Sequence, residues 1–314
     1  MGIYLVLEGR FTLGKVVAFQ GIVSSFYQPA VSLISAGQSI QEMTVQMERL
    51  DDVMNYPQDP VFDAHEAADA EVTGKLSGRL ELRHVTFGYA RLGQPLLEDF
   101  NLTLEPGKKV AFVGPSGCGK STLAKLISGL YQPWSGEILF DGKPLSEIDR
   151  KRFTGSLAVV DQDINLFDDA ISGNIKMWNT SIEDFEMILA ARDACIHEDI
   201  MSRDGGYGHK LLEDGKDFSG GQRQRLEIAR ALAQDPTILI MDEATSALDA
   251  KTEYDVMQRI TDRGITCVII AHRLSTIRSC DEIVVLDHGH VVERGTHEEL
   301  YAKGGLYASL VCSE

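Results

Sequence analysis

The sequence has 314 residues, with 47 acidic against 30 basic side chains and a net charge of −17. No basic excess exists to neutralise phosphates, which excludes a general nucleic-acid binder, and the length provides for one large domain or two modest ones. Five scattered cysteines (Cys118, Cys195, Cys267, Cys280, Cys312), odd in number and with no C-x-x-C pair, exclude a disulfide or zinc framework and read as free thiols in a reducing compartment.

The first 56 residues differ from the rest. Residues 13–34 are mostly apolar but carry Lys15, Gln20, Gln28 and Pro29, so they lack the unbroken run of about 18 apolar residues that settles a membrane span. Gln20, Ser24, Gln28 and Ser32 fall four apart, on one stripe of a helix. A membrane helix carries such a stripe where it faces a cavity or another helix, and a soluble amphipathic helix carries one too. On this stretch alone the two readings stand level. Arg10 and Lys15 at one end and acids at the other run weakly against the positive-inside rule. Ile40, Met43, Met47, Leu50 and Met54 continue the helical pattern as a packing seam, which should stop before Pro57. The stretch from Pro57 to Val72, rich in Asp, Glu and Ala and without Lys or Arg, reads as a solvated linker.

A second region begins near Lys75. Leu80, Leu82, Val85 and Phe87 predict a strand with an irregularity, and Phe100, Leu102 and Leu104 predict another. Glu105-Pro106-Gly107 is a turn feeding the apolar run Val110-Ala111-Phe112-Val113. Then come Gly114, Pro115, Ser116, Gly117, Cys118, Gly119, Lys120, Ser121 and Thr122, followed by Leu123, Leu126, Ile127 and Leu130 at helical spacing. Strand, glycine-rich loop and helix are the context that the G-x-x-x-x-G-K-[ST] pattern requires, and they disfavour an ordinary glycine-rich turn. Backbone N–H groups and the helix N-terminus would cradle a polyphosphate, with Lys120 reaching the β- and γ-phosphates and Ser121 ligating Mg²⁺. The chain binds a nucleoside triphosphate.

Beyond the loop helix, residues 137–140 and 157–160 read as short strands. The signal from Asn165 to about Gln234 is helical, interrupted by the glycine cluster 204–208. Residues 238–241 and 267–270 are buried strands with a helix at 254–260 between them, and strands at 282–286 and 290–293 precede a helical tail. Such alternation predicts a parallel α/β core covered on both faces.

Asp242 and Glu243 leave a buried strand, a costly place for two carboxylates unless a metal or substrate uses them. Asp242 would hold Mg²⁺ and Glu243 would polarise an attacking water; an acidic helix cap is the plainer alternative. His272 ends the next buried strand, at a strand C-terminus that faces the ligand crevice of an open sheet, and Gln162 occupies the like position after the strand 157–160. Gln162 could bind Mg²⁺ or sense the γ-phosphate. Ser219, Gly220, Gly221 and Gln222 open a helical run and read as a second anion site that completes the nucleotide site of another copy, or as a plain N-cap.

Taken together, residues 78–314 resemble the nucleotide-binding domain of ABC transporters. Residues 114–121 match the Walker A loop, 238–243 the Walker B strand and 218–222 the L-S-G-G-Q signature. Gln162, the run Ser246-Ala247-Leu248-Asp249 and His272 match the Q-loop, D-loop and switch histidine, and Tyr89 matches the aromatic that stacks on adenine. The resemblance implies a phosphate-loop NTPase of the ABC type: a RecA-like parallel sheet, an antiparallel β subdomain and a helical subdomain at about 163–235. Residues 1–56 resemble the end of an exporter-type half-transporter's transmembrane domain, which favours the membrane helix, with the linker at 57–77. Glu213-Asp214-Gly215 is similar to the exporter-specific loop; Asp214 stands where that loop has arginine, and Phe218 where the signature has leucine.

The wording of 213–222 and 270–293 is most similar to bacterial exporters of bacteriocins and related peptides. The resemblance implies ATP and Mg²⁺ as cofactors, a second nucleotide-binding domain (an identical chain), transmembrane helices and an exported peptide as partners, and a place at the bacterial cytoplasmic membrane. Half-transporters have six membrane helices, so the chain is expected to be a C-terminal fragment or truncated product. The rival readings are a soluble mechanical ABC ATPase and a nucleotide-binding module without transport.

Overall fold

A computed structural model describes residues 2–7, 9, 12–56, 74–212, 215–271 and 273–312. The chain divides into two compact units, 1–59 and 60–314. In the first, a short helix α1 (Gly2–Leu7) precedes α2 (Leu13–Met54), a helix of 42 residues with no buried side chain. At 1.5 Å per residue α2 is about 63 Å long, twice the hydrocarbon thickness of a bilayer. Among the described residues it alone is long and apolar enough to cross a membrane. The polar stripe partly satisfies itself: the Ser32 hydroxyl donates to the Gln28 carbonyl at 3.0 Å. The helix closes at Asn55, whose N–H bonds Asp51 O at 2.9 Å. The linker expected at 57–77 lies outside the described residues up to position 73.

The second unit carries two sheets. In the smaller, β1 (Leu80–Phe87) pairs antiparallel with β2 (Leu97–Leu104) and β4 (Ser135–Phe140), with β5 (Lys143–Pro144) outermost. The irregularity read from the sequence is a register shift between Leu82 and Val85, which keeps Leu80, Leu82, Val85 and Phe87 all buried. The larger sheet has the order β10-β9-β3-β8-β7-β6. Its strands are β3 (Lys109–Val113), β6 (Leu157–Val160), β7 (Ile238–Asp242), β8 (Thr266–Ile270), β9 (Glu282–Asp287) and β10 (His290–Gly295). Five run parallel and β10 is antiparallel at the edge.

Period-two alternation sends the strands' side chains to two cores. Val110, Phe112, Ile240 and Ile270 pack with Leu123 and Ile127 of the phosphate-loop helix α3 (Lys120–Ile127) and with the β1–β2 sheet. Ala111, Val113, Met241 and Ile269 pack on the other face. There the covering helices include α6 (Asp184–Asp193) and α8 (Gly220–Ala233), following α4 (Arg150–Ser156) and α5 (Ile171–Lys176). The short α7 (His197–Met201) lies between α6 and α8, and α9 (Ala250–Asp262) and α10 (Leu274–Arg278) flank β8 in sequence.

The stretch expected to be helical from Asn165 begins later and is more interrupted than its sequence suggests. Residues 165–170 and 177–183 are not helical. The fully buried Asn174 captures the backbone of the first, accepting from Phe167 N at 2.8 Å and donating to Phe167 O at 3.0 Å, so the helix starts only at Ile171.

Candidate nucleotide site

The C-terminal edge of a parallel sheet is where the strands deliver their loops to a ligand. From β3 the chain enters Gly114 at φ +152°, and a Cβ there would stand 2.1 Å from Leu286 O, so only glycine fits. Gly119 closes the loop at φ +109° as the N-cap of α3. Pro115, Ser116 and Gly117 lie at the surface, while Cys118 is buried. Lys120 is 7% exposed, its ammonium held inside the loop by Gly114 O at 2.7 Å and Pro115 O at 2.9 Å. A cation is thereby fixed against the helix N-terminus, two positive fields aimed at one place.

Two strands along, β7 ends on Asp242, and Glu243 N still bonds Ile270 O of β8 at 2.9 Å. Glu243 is turned at φ +50°, the left-handed region. Gln162, at the end of the adjacent β6, donates Nε2 to Glu243 Oε2 at 3.2 Å. Burial pushes the Asp242 carboxyl up, with the Ser121 hydroxyl and the Lys120 charge opposing and Asp161 and Glu243 adding to the rise. Asp242 Oδ1 is buried without a hydrogen-bond partner among the described residues. An orphaned carboxylate oxygen on a side chain that the Ser121 hydroxyl also bonds fits Mg²⁺, a hard cation that takes oxygen ligands. Among the described residues no cluster of three or more His, Cys, Asp or Glu could cage a metal alone, so phosphate oxygens and water would complete the shell.

Tyr89 is anchored to the same loop helix by its phenol, 3.0 Å from Thr122 Oγ1. Phe87 and Tyr131 meet its ring edge-on at 5.5 and 5.7 Å, and 63% of the residue is exposed. A ring so fixed and so open can stack on a base.

Ser219 caps α8 reciprocally with Gln222: the Ser219 hydroxyl accepts from Gln222 N at 3.3 Å and Gln222 Oε1 accepts from Ser219 N at 3.0 Å. Phe218 is buried, with the Arg203 guanidinium 3.7 Å above its ring, so the larger side chain is absorbed by the core. A Cβ on Gly221 would stand 2.9 Å from Ala247 O, and Gly220 is also packed against Ala247. Asp249 caps α9, accepting from Lys251 N and Thr252 N, and hydrogen bonds from Thr252 hold its carboxyl below the usual range. Among the described residues no hydrogen bond or ion pair joins 218–222 to 114–122.

Residues 97–246 match the family model described as ABC transporter. A solved bacterial Atm1-family ABC exporter with ATP bound superposes with a TM-score of 0.81 at 33% identity, over 97% of this chain and 53% of that one. The larger unit has the fold of an ABC transporter nucleotide-binding domain. The mitochondrial iron–sulfur clusters transporter atm1 of Neurospora crassa is 39% identical over 319 residues, 99% of this chain and 44% of the relative. The alpha-hemolysin translocation ATP-binding protein HlyB of Escherichia coli O157:H7 is 38% identical over 313 residues, 99% of this chain and 44% of the relative. The chain spans about half the length of the curated relatives it matches, or less.

In this fold, then, the loop 114–122, Asp242, Glu243 and Gln162 gather at one sheet edge, and Ser219 to Gln222 cap a helix elsewhere. His272, Glu213 and Asp214 lie outside the described residues. Gln224 is a site-supporting residue that sequence reasoning missed. It is 6% exposed and donates to Ser246 Oγ at 2.9 Å while accepting from Ala247 N at 2.8 Å, tying the signature helix to the D-loop. Its signal was a polar side chain among the inward positions Leu226 and Ile228.

Proposed function

We propose that this chain binds and hydrolyses ATP as part of an exporter of the bacterial cytoplasmic membrane. The observation that carries the reading is the convergence at one sheet edge: Lys120 inside the loop, Asp242 with an orphaned oxygen, and Glu243 held by Gln162. In this reading Lys120 and the backbone of 114–122 bind the phosphates, and Tyr89 stacks on adenine. Ser121, Asp242 and Gln162 hold Mg²⁺, which when bound neutralises the β- and γ-phosphate oxygens. Glu243 takes the proton of the attacking water, and His272 steadies the γ-phosphate. The signature of a second, identical chain closes over each ATP, with Asp249 at the interface. Helix α2 is the last membrane helix and its extension, and the domain works from the cytoplasmic side.

The cargo is a peptide in this reading, on the wording of 213–222 and 270–293; relatives named for iron–sulfur clusters and for a haemolysin stand at 39% and 38% identity. The test is Mg²⁺-dependent phosphate release by the purified chain, with partition of the chain into lipid vesicles measured alongside. Hydrolysis and partition are expected together. A folded chain that binds ATP, dimerises and yet releases no phosphate would overturn the reading as a hydrolase, and a chain that stays out of vesicles would overturn the membrane part.

A further inference from the structure

Glu253 sits in the first turns of α9, 1% exposed, outside every motif used so far. A buried carboxylate is costly unless it is well partnered. Its partners come from segments that leave two neighbouring strands of the sheet. Oε1 accepts from Thr245 Oγ1 at 2.7 Å, two residues past Glu243, and from the Thr276 hydroxyl. Oε2 accepts from Ser275 Oγ at 2.8 Å and lies 3.6 Å from the Arg273 guanidinium. Arg273 in turn donates to Ser246 O at 2.9 Å and to Leu248 O. One carboxylate therefore joins the exit of β7, which carries Asp242 and Glu243, to the chain that follows β8.

We infer that Glu253 is a positioning residue: it fixes the segment leaving β7 to the segment leaving β8, and so sets where Glu243 stands relative to the phosphate loop. Helix-dipole compensation alone would need no hydroxyls from Thr245, Ser275 and Thr276. The inference rests on the proposed role of Glu243 for its catalytic consequence, and on the hydrogen bonds alone for the lock. Geometry at the reacting centre is steep in its effect, since a misplacement of about 1 Å costs on the order of 10²-fold in rate.

The test uses the full chain and two readouts. In Glu253→Ala, amide hydrogen exchange should quicken together at 244–248 and 274–279. Turnover should fall about 10- to 100-fold with MgATP affinity unchanged. Glu253→Gln should restore slow exchange and most of the turnover, because its amide still pairs with hydroxyls that both donate and accept. Faster exchange confined to α9, or a loss of turnover matched by an equal loss of affinity, would overturn the inference. Should Glu253→Ala not fold, Thr245→Val removes the hydroxyl of one arm and Ser275→Ala with Thr276→Val those of the other, and each should quicken exchange on the opposite segment; no effect across the lock overturns it. A parent chain without turnover counts against the proposed function, and the exchange measurements then decide the lock by themselves.

Discussion

The Gln162 amide donates to the Glu243 carboxylate at 3.2 Å, across 81 positions of sequence, because β6 lies directly beside β7. A donor on one carboxylate oxygen fixes the torsion of the group and therefore its aim. If Glu243 is the base, Glu243→Gln should leave MgATP binding intact and cut phosphate release by roughly 10²–10⁴-fold. Single-turnover kinetics with an independent binding measurement checks this, and near-parental turnover removes Glu243 from the role.

Asp242 makes the opposite trade. Burial disfavours its charged carboxylate in the nucleotide-free fold, and in the proposed reading a bound cation relieves that cost. Asp242→Asn should therefore melt higher than the parent without nucleotide, by about 2–4 °C if the gain is near 1 kcal/mol. Adding MgATP should raise the parent's melting temperature far more than the variant's. Calorimetry with and without Mg²⁺ reads both, and equal stabilisation of the two chains would take Asp242 out of the metal shell.

Lys120 is expected to act in the ground state, since its ammonium already sits within the loop. Lys120→Ala should weaken ATP binding itself, in contrast to Glu243→Gln. Titration calorimetry distinguishes them. Equal ATP affinity for Lys120→Ala and the parent contradicts the assignment.

Tyr89 offers a graded test. Tyr89→Ala should cost about 1–3 kcal/mol of nucleotide affinity, the range for an aromatic stacked on a base. Tyr89→Phe keeps the ring and loses only the contact with Thr122, at about 0.5–1.5 kcal/mol. Affinities for ATP and GTP should fall together, because a ring recognises the face of any base. An unchanged affinity in Tyr89→Ala would mean that the ring serves only its contacts with Phe87 and Tyr131.

The signature is tested by mixing chains. Ser219 and Gln222 satisfy each other within one chain, so a cap is present whether or not a partner's ATP is met there. A Lys120→Ala chain keeps the signature, and a Ser219→Arg chain keeps the phosphate loop. Mixed, they should recover partial hydrolysis that neither shows alone, and the parent's specific activity should rise with concentration as dimers form by mass action. Constant specific activity from a demonstrated monomer would leave 218–222 as an ordinary cap.

What could be read without coordinates was local. The runs ending at Val113, Met241 and Ile270 announce strands buried on both faces, and the loop from Gly114 to Thr122 is a short-range pattern whose chemistry follows from its own order. What could not be read was strand order. Nothing local says that β6 adjoins β7, so neither the bond from Gln162 to Glu243 nor the lock at Glu253 could be inferred. The sequence from Asn165 reads as helical, yet 165–170 form a loop because a single amide, Asn174, captures their backbone. Gln224 was passed over for a similar reason: its partners are Ser246 and Ala247, distant in sequence.

Glu243 stands at φ +50°, where a side chain bearing a Cβ costs about 1–2 kcal/mol and glycine meets no steric penalty. With Glu243 as the base proposed above, heat resistance and turnover are opposed at a single torsion angle. A campaign that selects this domain for thermal endurance alone would be drawn to glycine at position 243, and its most durable isolates would hold ATP and leave it uncut.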